Sequence, residues 1–201
     1  MRALVLGIVL AAGCATPAGE ADYRARAETA VKSAFAGGDP AIVARVLEQD
    51  DAQRLCSEHR NSPPAALAAP LMAAQRAAIA YPASGRLIGD WREGKKIAED
   101  TGGMRYGDKP GLPNGGNCYA CHQLAAAEIV YGTLGPSLLG YGKTHGAGEA
   151  AQRRAYERIY NAQAFAACSA MPRFGHNGVL TPEQIAHLVA LLLDPASEVN
   201  R

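Results

Sequence analysis

The stretch NCYACH, residues 117 to 122, places the thiols of Cys118 and Cys121 three positions apart and the imidazole of His122 directly after the second. Three chemistries use such groups. A structural zinc ion takes four ligands, usually as two Cys-x-x-Cys-type pairs, and no second pair follows this one; adjacent Cys121 and His122 are also poorly spaced for one ion. A thioredoxin-like dithiol follows a strand and opens a helix, whereas TGGMRYGDKPGLPNGG at 101 to 116 is loop by composition. The third chemistry is attachment of c-type haem, whose signal is Cys-x-x-Cys-His. The thiols add to the two porphyrin vinyl groups as thioethers, and a spacing of three sets both sulfurs on one side of a short helical turn. The next residue then turns its imidazole to the iron. The sequence favours this last reading: one covalent haem c on Cys118 and Cys121, with His122 as proximal iron ligand.

A sixth iron site follows from the same reading. Met171 lies in the Pro-containing loop MPRFGHNG, after the motif and before the final helix. That order suits a distal thioether ligand, and His176 in the same loop is the alternative. Met104 and Met72 read as ordinary apolar side chains. A neutral, soft sulfur favours Fe(II) over Fe(III) and raises the potential. Arg173 is a candidate partner for a haem propionate, with a solvated arginine as the alternative. Gly135-Pro136-Ser137 is placed to press on His122 and to offer a carbonyl to its second ring nitrogen.

The first residues, MRALVLGIVLAAGCATPAGEAD, have a short basic start and an apolar run from Ala3 to Ala12. This suits a signal peptide over residues 1–15 and is too short for a membrane span, which takes about 20 apolar residues. Small residues before Cys14 resemble a bacterial lipobox, which makes Cys14 a candidate lipidation site and membrane tether. Cleavage near Ala15 to Ala18 is the alternative. Both place the mature chain in the periplasm, an oxidising compartment. Of five cysteines, setting aside Cys14 and the motif pair leaves Cys56 and Cys168. An even remainder there suggests a disulfide; two free buried thiols are the alternative.

Composition fits a globular chain: 48% hydrophobic and 19% charged over 201 residues. Twenty basic and nineteen acidic residues nearly cancel, which leaves no nucleic-acid footprint. Aromatics are only 6%, so a bulky cofactor would help to fill the interior. Strand signals are weak, and the expected class is all-α. An N-terminal helical extension spans 20–83, with a break at Gly37-Gly38, an Asp39-Pro40 start, a stop at NSPP (61–64) and a helix resuming near Leu71 after Pro70. The haem domain spans 84–201. Within it a helix is expected over 84–100, thinned by Gly89 and Gly94, where another backbone must come close. Leu188 to Leu193 is the expected crossing partner. Helices follow over Glu149 to Ala162 and from Thr181, where TPEQ is a capping-box pattern.

GGNCYACHQ, GTLGPSLLGYGK, CSAMPRFGHNGVLT and LLLDPASEVN together resemble SoxX, the monohaem c-type cytochrome subunit of the SoxAX sulfur-oxidation complex. GDWREGKKIAED and CSEHRNSPP resemble the larger SoxX proteins with an N-terminal extension. The resemblance implies a class I cytochrome c-like domain, with Cys118 and Cys121 at the attachment positions, His122 proximal and Met171 distal. It also implies a SoxA-like haem subunit as heterodimer partner. That complex, an L-cysteine S-thiosulfotransferase, couples thiosulfate oxidatively to a cysteine on the SoxYZ carrier. The SoxX-like subunit relays the released electrons to a small cytochrome c and has no substrate-converting residues of its own. One departure is Glu198, where the family usually has proline, so a less rigid tail is expected. A periplasmic monohaem carrier with no enzyme partner, or a sensor with a labile sixth ligand, are the competing functions.

Overall fold

The computed structural model of the protein describes residues 19–37, 43–44, 47–102 and 114–201. Met104, Cys14 and the Asp39-Pro40 start lie outside the described residues. Among the described residues there is no β-strand, and the fold is all-α. No described helix is long and apolar enough to cross a membrane.

Two units are distinguished, residues 1–48 and 49–201. In the first, helix α1 (Glu20–Ala34) exposes its described side chains. It ends where Gly37 takes a positive φ of 88°.

The second unit begins at Gln49, ahead of Tyr81-Pro82. Helix α2 (Asp51–Glu58) is started by a reciprocal capping box between Asp50 and Gln53. It stops where Arg60 and Asn61 take left-handed backbone conformations. Helix α3 (Ala65–Ala77) carries Pro70 in its interior, a correction to the expected start near Leu71. An interior proline removes one i→i−4 bond and normally costs about 3 kcal/mol. Here Pro70 and Ala66 are both exposed, so water can reach this part of the helix. The far end of α3 is tied down instead: Arg76 donates to Ala164 O at 2.8 Å, and Asn161 to Gln75 Oε1 at 2.8 Å.

Tyr81 stacks on Tyr156 at 5.5 Å and donates to Glu157 at 2.7 Å, while Tyr156 donates to Ala80 O at 2.8 Å. The segment between α3 and the next helix therefore packs on helix α6 (Glu149–Tyr160).

Helix α4 is shorter than expected and runs from Trp91 to Glu99. Asp90 caps it by accepting from Arg92 N at 2.8 Å. Residues just before it lie along the final helix α7 (Pro182–Leu193): Gly89 N donates to Ala186 O, and Asp90 N to His187 Nδ1, both at 2.9 Å. His187 is thus a satisfied position. These long-range bonds outcompete another turn of α4. Thr181 and Gln184 form the expected capping box at the start of α7, with Pro182 in the first turn.

Helix α7 is buried nearly all round. Ile185, Leu188, Val189, Leu191 and Leu193 pack with Ala98, Tyr156, Leu124, Leu180 and Val199. Its crossing with α4 is very close. A Cβ on Gly94 would lie 2.1 Å from His187 O and 3.0 Å from Leu191 Cβ. After α7 the chain turns back, and Asn200 closes it. Its Nδ2 donates to Leu192 O at 2.9 Å and Asp194 O at 3.0 Å. Its Oδ1 accepts from Gly142 N, in the short helix α5 (Tyr141–His145), at 2.8 Å.

The Gly94 crossing reverses a general preference. Ala normally stabilises a helix interior by about 1 kcal/mol over Gly. Gly94→Ala should instead destabilise by about 2 kcal/mol, within the usual overpacking range, measured as a lower denaturant midpoint.

Candidate functional site

The motif forms a tight 3₁₀ turn over Cys118–Ala120. Its entrance is fixed to the end of α4. Gly116 N donates to Ile97 O at 2.7 Å, and Asn117 N to Asp100 O at 2.9 Å. Asn117 takes a left-handed conformation, φ 44° and ψ 44°, which turns the chain into the motif. Cys121 N and His122 N both donate to Cys118 O, at 3.1 and 2.9 Å. The turn therefore carries Cys118, Cys121 and His122 on one short, closed piece of backbone.

The following loop runs along this turn as a backbone ladder. Gly132 N donates to Tyr119 O at 2.9 Å, Gly135 N to Cys121 O at 2.8 Å and Leu138 N to Gln123 O at 2.8 Å. The approach leaves no room for side chains at two positions. A Cβ on Gly132 would lie 1.8 Å from Ala120 O, and one on Gly135 would lie 2.2 Å from His122 Cε1. The ladder also delivers Pro136 O to His122 Nδ1 at 2.7 Å. A carbonyl only accepts, so Nδ1 carries the hydrogen and Nε2 keeps its lone pair. His122 thus leaves Nε2 free as a donor atom in its neutral form.

Cys118 packs against the core. Burial pushes its thiol up to about 12, and the neighbouring Cys121 adds to the rise. A thiol so disposed is protonated at neutral pH. Among the described residues no group of three or more His, Cys, Asp or Glu side chains is placed to hold a metal ion.

A sequence model of the family described as Cytochrome c matches residues 91–194. The chain belongs to the cytochrome c family. It is also 41% identical over 156 residues to a protein of Aquifex aeolicus (strain VF5) named "Uncharacterized lipoprotein", covering 76% of this chain and 73% of that one. The fold of this cytochrome c is the all-α, class I type. Family membership makes covalent haem c its cofactor and electron transfer its class of function. The donor set in the turn fits such a group: two thiols, an imidazole with a free Nε2, and a glycine-lined approach against the ring.

Met171 borders the same core as Cys118, in the loop between α6 and α7. Cys56 of α2 and Cys168 of this loop are joined by a disulfide across 112 residues of sequence. Arg173 is placed differently from the solvated reading. It is 4% exposed and therefore not solvated. Its guanidinium bonds Asp50 Oδ2 at 2.6 Å and Gln75 Oε1 at 3.2 Å. His176 lies beside this pair. No local pattern marks the Arg173 contact, because its partners lie in α3 and before α2.

Glu198 corrects another expectation. Its carboxylate holds Lys95 of α4 at 2.5 Å and accepts from Tyr119, inside the motif, at 2.8 Å. Burial and Glu198 together keep the Tyr119 phenol above its ordinary range. The tail is therefore fastened to the motif turn where proline could make neither bond.

Acid should loosen the cytochrome at the Asp50–Arg173 pair. Burial opposes the Asp50 charge, but the Gln53 N–H and the Arg173 guanidinium outweigh it and hold the carboxyl below its usual 3.8. His176 is held below 6.5 by burial and Arg173, against the pull of Asp50. Both groups bind fewer protons folded than unfolded, so stability rises with pH and is lost as pH falls. The His176 share is full above 6.5 and declines below it, and the Asp50 share is full above 3.8 and is lost as pH falls through its folded value. Asp50→Asn should flatten the lower limb and remove about 1 kcal/mol at neutral pH, a modest figure because the carboxylate is partly exposed. Denaturant midpoints from pH 3 to 8, on the order of one unit apart, measure both limbs.

Proposed function

We propose that this cytochrome c is the SoxX-like electron-transfer subunit of a thiosulfate-oxidising complex. In this reading Cys118 and Cys121 hold one haem c as thioethers, His122 binds the iron through Nε2, and Met171 is the distal ligand. The observation that carries the site is the 2.7 Å contact of His122 Nδ1 with Pro136 O. It fixes the tautomer and the ring plane and raises the basicity of the ligating nitrogen.

Bound there, the haem supplies a one-electron Fe(III)/Fe(II) couple. The residues of the chain define its environment. Gly135 lets the loop lie flat against His122 and exclude water from that side of the ring. Met171 contributes a neutral thioether, which favours the reduced state and closes the sixth position to other molecules. Tyr119, Glu198 and Lys95 hold the motif turn against α4. With His122 and Met171 holding the iron, the protein would relay electrons and leave the sulfur chemistry to a partner.

The partner assignment rests on the four quoted motifs and on the extension, which resemble SoxX. A SoxA-like haem subunit would deliver electrons released as thiosulfate is coupled to a SoxYZ carrier cysteine, and a small cytochrome c would accept them. An exported location is supported by the signal-like first residues and by the Cys56–Cys168 disulfide, a bond typical of oxidising compartments. A lipid anchor on Cys14 is supported by the lipobox-like residues and by the word "lipoprotein" in the relative's name.

Met171→Ala should abolish the thioether-to-iron charge-transfer band and lower the midpoint potential; an unchanged spectrum rejects this ligand. The complex is tested by affinity purification from the native host. A second haem protein should co-purify, and thiosulfate with the carrier protein should reduce the haem. Isolation as a lone protein, with no thiosulfate-dependent reduction, would leave a general electron carrier instead.

A further inference from the structure

Met171 sits in the loop between two long-range anchors, and both are made by residues 49–77. Three positions before it, Cys168 is bonded to Cys56 of α2. Two positions after it, Arg173 bonds Asp50, the residue that caps α2, and Gln75 of α3. Between the anchors the described hydrogen bonds are local. Ser169 N donates to Ala166 O, and Met171 N to Ser169 Oγ. Cys168 takes a φ of 60°, a conformation uncommon for a residue with a Cβ, so the loop's local preference does not favour the geometry that the disulfide holds.

We propose that α2 and α3 form a clamp that positions the distal ligand, with the Cys56–Cys168 disulfide and the Arg173–Asp50/Gln75 contacts as its two jaws. Cys56, Cys168, Asp50, Gln75 and Arg173 are positioning residues: they act on the iron's sixth site through Met171. The inference rests on the reading of Met171 as that ligand. The geometry explains why an extension ahead of the haem domain packs here. Six residues of loop, 168 to 173, are held at both ends, so the thioether keeps its place without a backbone bond of its own to the core. With one jaw open, the nearest remaining anchor on that side is Arg76 to Ala164 O before the loop or Gly175 N to Tyr160 O after it, which lengthens the free span around Met171. With both released, residues 166–173 keep only local bonds among those described.

The test uses the haem-loaded full chain in four forms: wild type, Cys56→Ser/Cys168→Ser, Arg173→Met, and all three substitutions combined. Readouts are the thioether charge-transfer band, the midpoint potential, and carbon monoxide binding by the ferrous protein at neutral pH, with far-ultraviolet circular dichroism to follow the helices. Each single opening should weaken the band while the helical signal stays. The combined variant should lose most of the band, shift to lower potential and bind carbon monoxide at least tenfold more tightly. Arg173→Lys, which keeps a cation for Asp50, should restore most of the band that Arg173→Met loses. If the combined variant does not fold, wild-type and Arg173→Met proteins treated with a dithiol, alkylated at the freed thiols and reoxidised at the haem with ferricyanide supply the same comparison. A helical combined variant, or alkylated Arg173→Met protein, with an unchanged band and no carbon monoxide binding overturns the clamp. Met171→Ala separates the two readings. If it keeps the band, the ligand assignment fails and takes the clamp with it; if it loses the band while the opened clamp does not, only the clamp fails.

Discussion

The backbone ladder from Gly132, Gly135 and Leu138 to Tyr119, Cys121 and Gln123 is the constraint on which the site depends. It converts a short motif into a fixed platform. A 3₁₀ turn of three residues has little stability of its own, and its thiols and imidazole would sample many orientations. The ladder satisfies its carbonyls and presses a glycine against the imidazole. It also places one carbonyl where Nδ1 must donate. Tautomer and ring plane are set by bonds that involve no metal, and Nε2 is left free.

Around that platform the unit is closed by contacts distant in sequence. Helices α4 and α7 meet backbone to backbone at Gly94, a closeness that any side chain there would prevent. Asn200 gathers the last carbonyls of α7 and the first turn of α5 into one buried amide. Lys95, Glu198 and Tyr119 then join α4, the tail and the motif. In the low-dielectric interior such polar links are worth having only when fully paired, and Asn200 engages both ends of its amide.

Features governed by local chemistry could be read from the sequence. The spacing of Cys118, Cys121 and His122 reflects a reaction geometry, and Thr181-Pro182 with Gln184 is a self-contained helix start. Gly94 also announced a close approach, because a glycine in an amphipathic stretch needs a reason. Other features depended on partners far along the chain. Nothing near Arg173 shows that it is buried against Asp50. Nothing near Glu198 shows Tyr119 waiting for its carboxylate. The start of α4 slipped to Trp91 because α7 offers Gly89 and Asp90 better hydrogen bonds than another helical turn would. Pro70 was read as a boundary by its usual effect, yet its exposure lets water reach this part of the helix.

The placement of α7 bears on the order of events as the protein is made. The motif precedes α7 in the chain, and Cys118 and Tyr119 pack against a core to which Leu188, Leu191 and Leu193 contribute. A polypeptide made from its N-terminus therefore presents Cys118 and Cys121 before the core that Cys118 joins is complete, and the two sulfhydryls are reachable for thioether formation while the final helix is still to come.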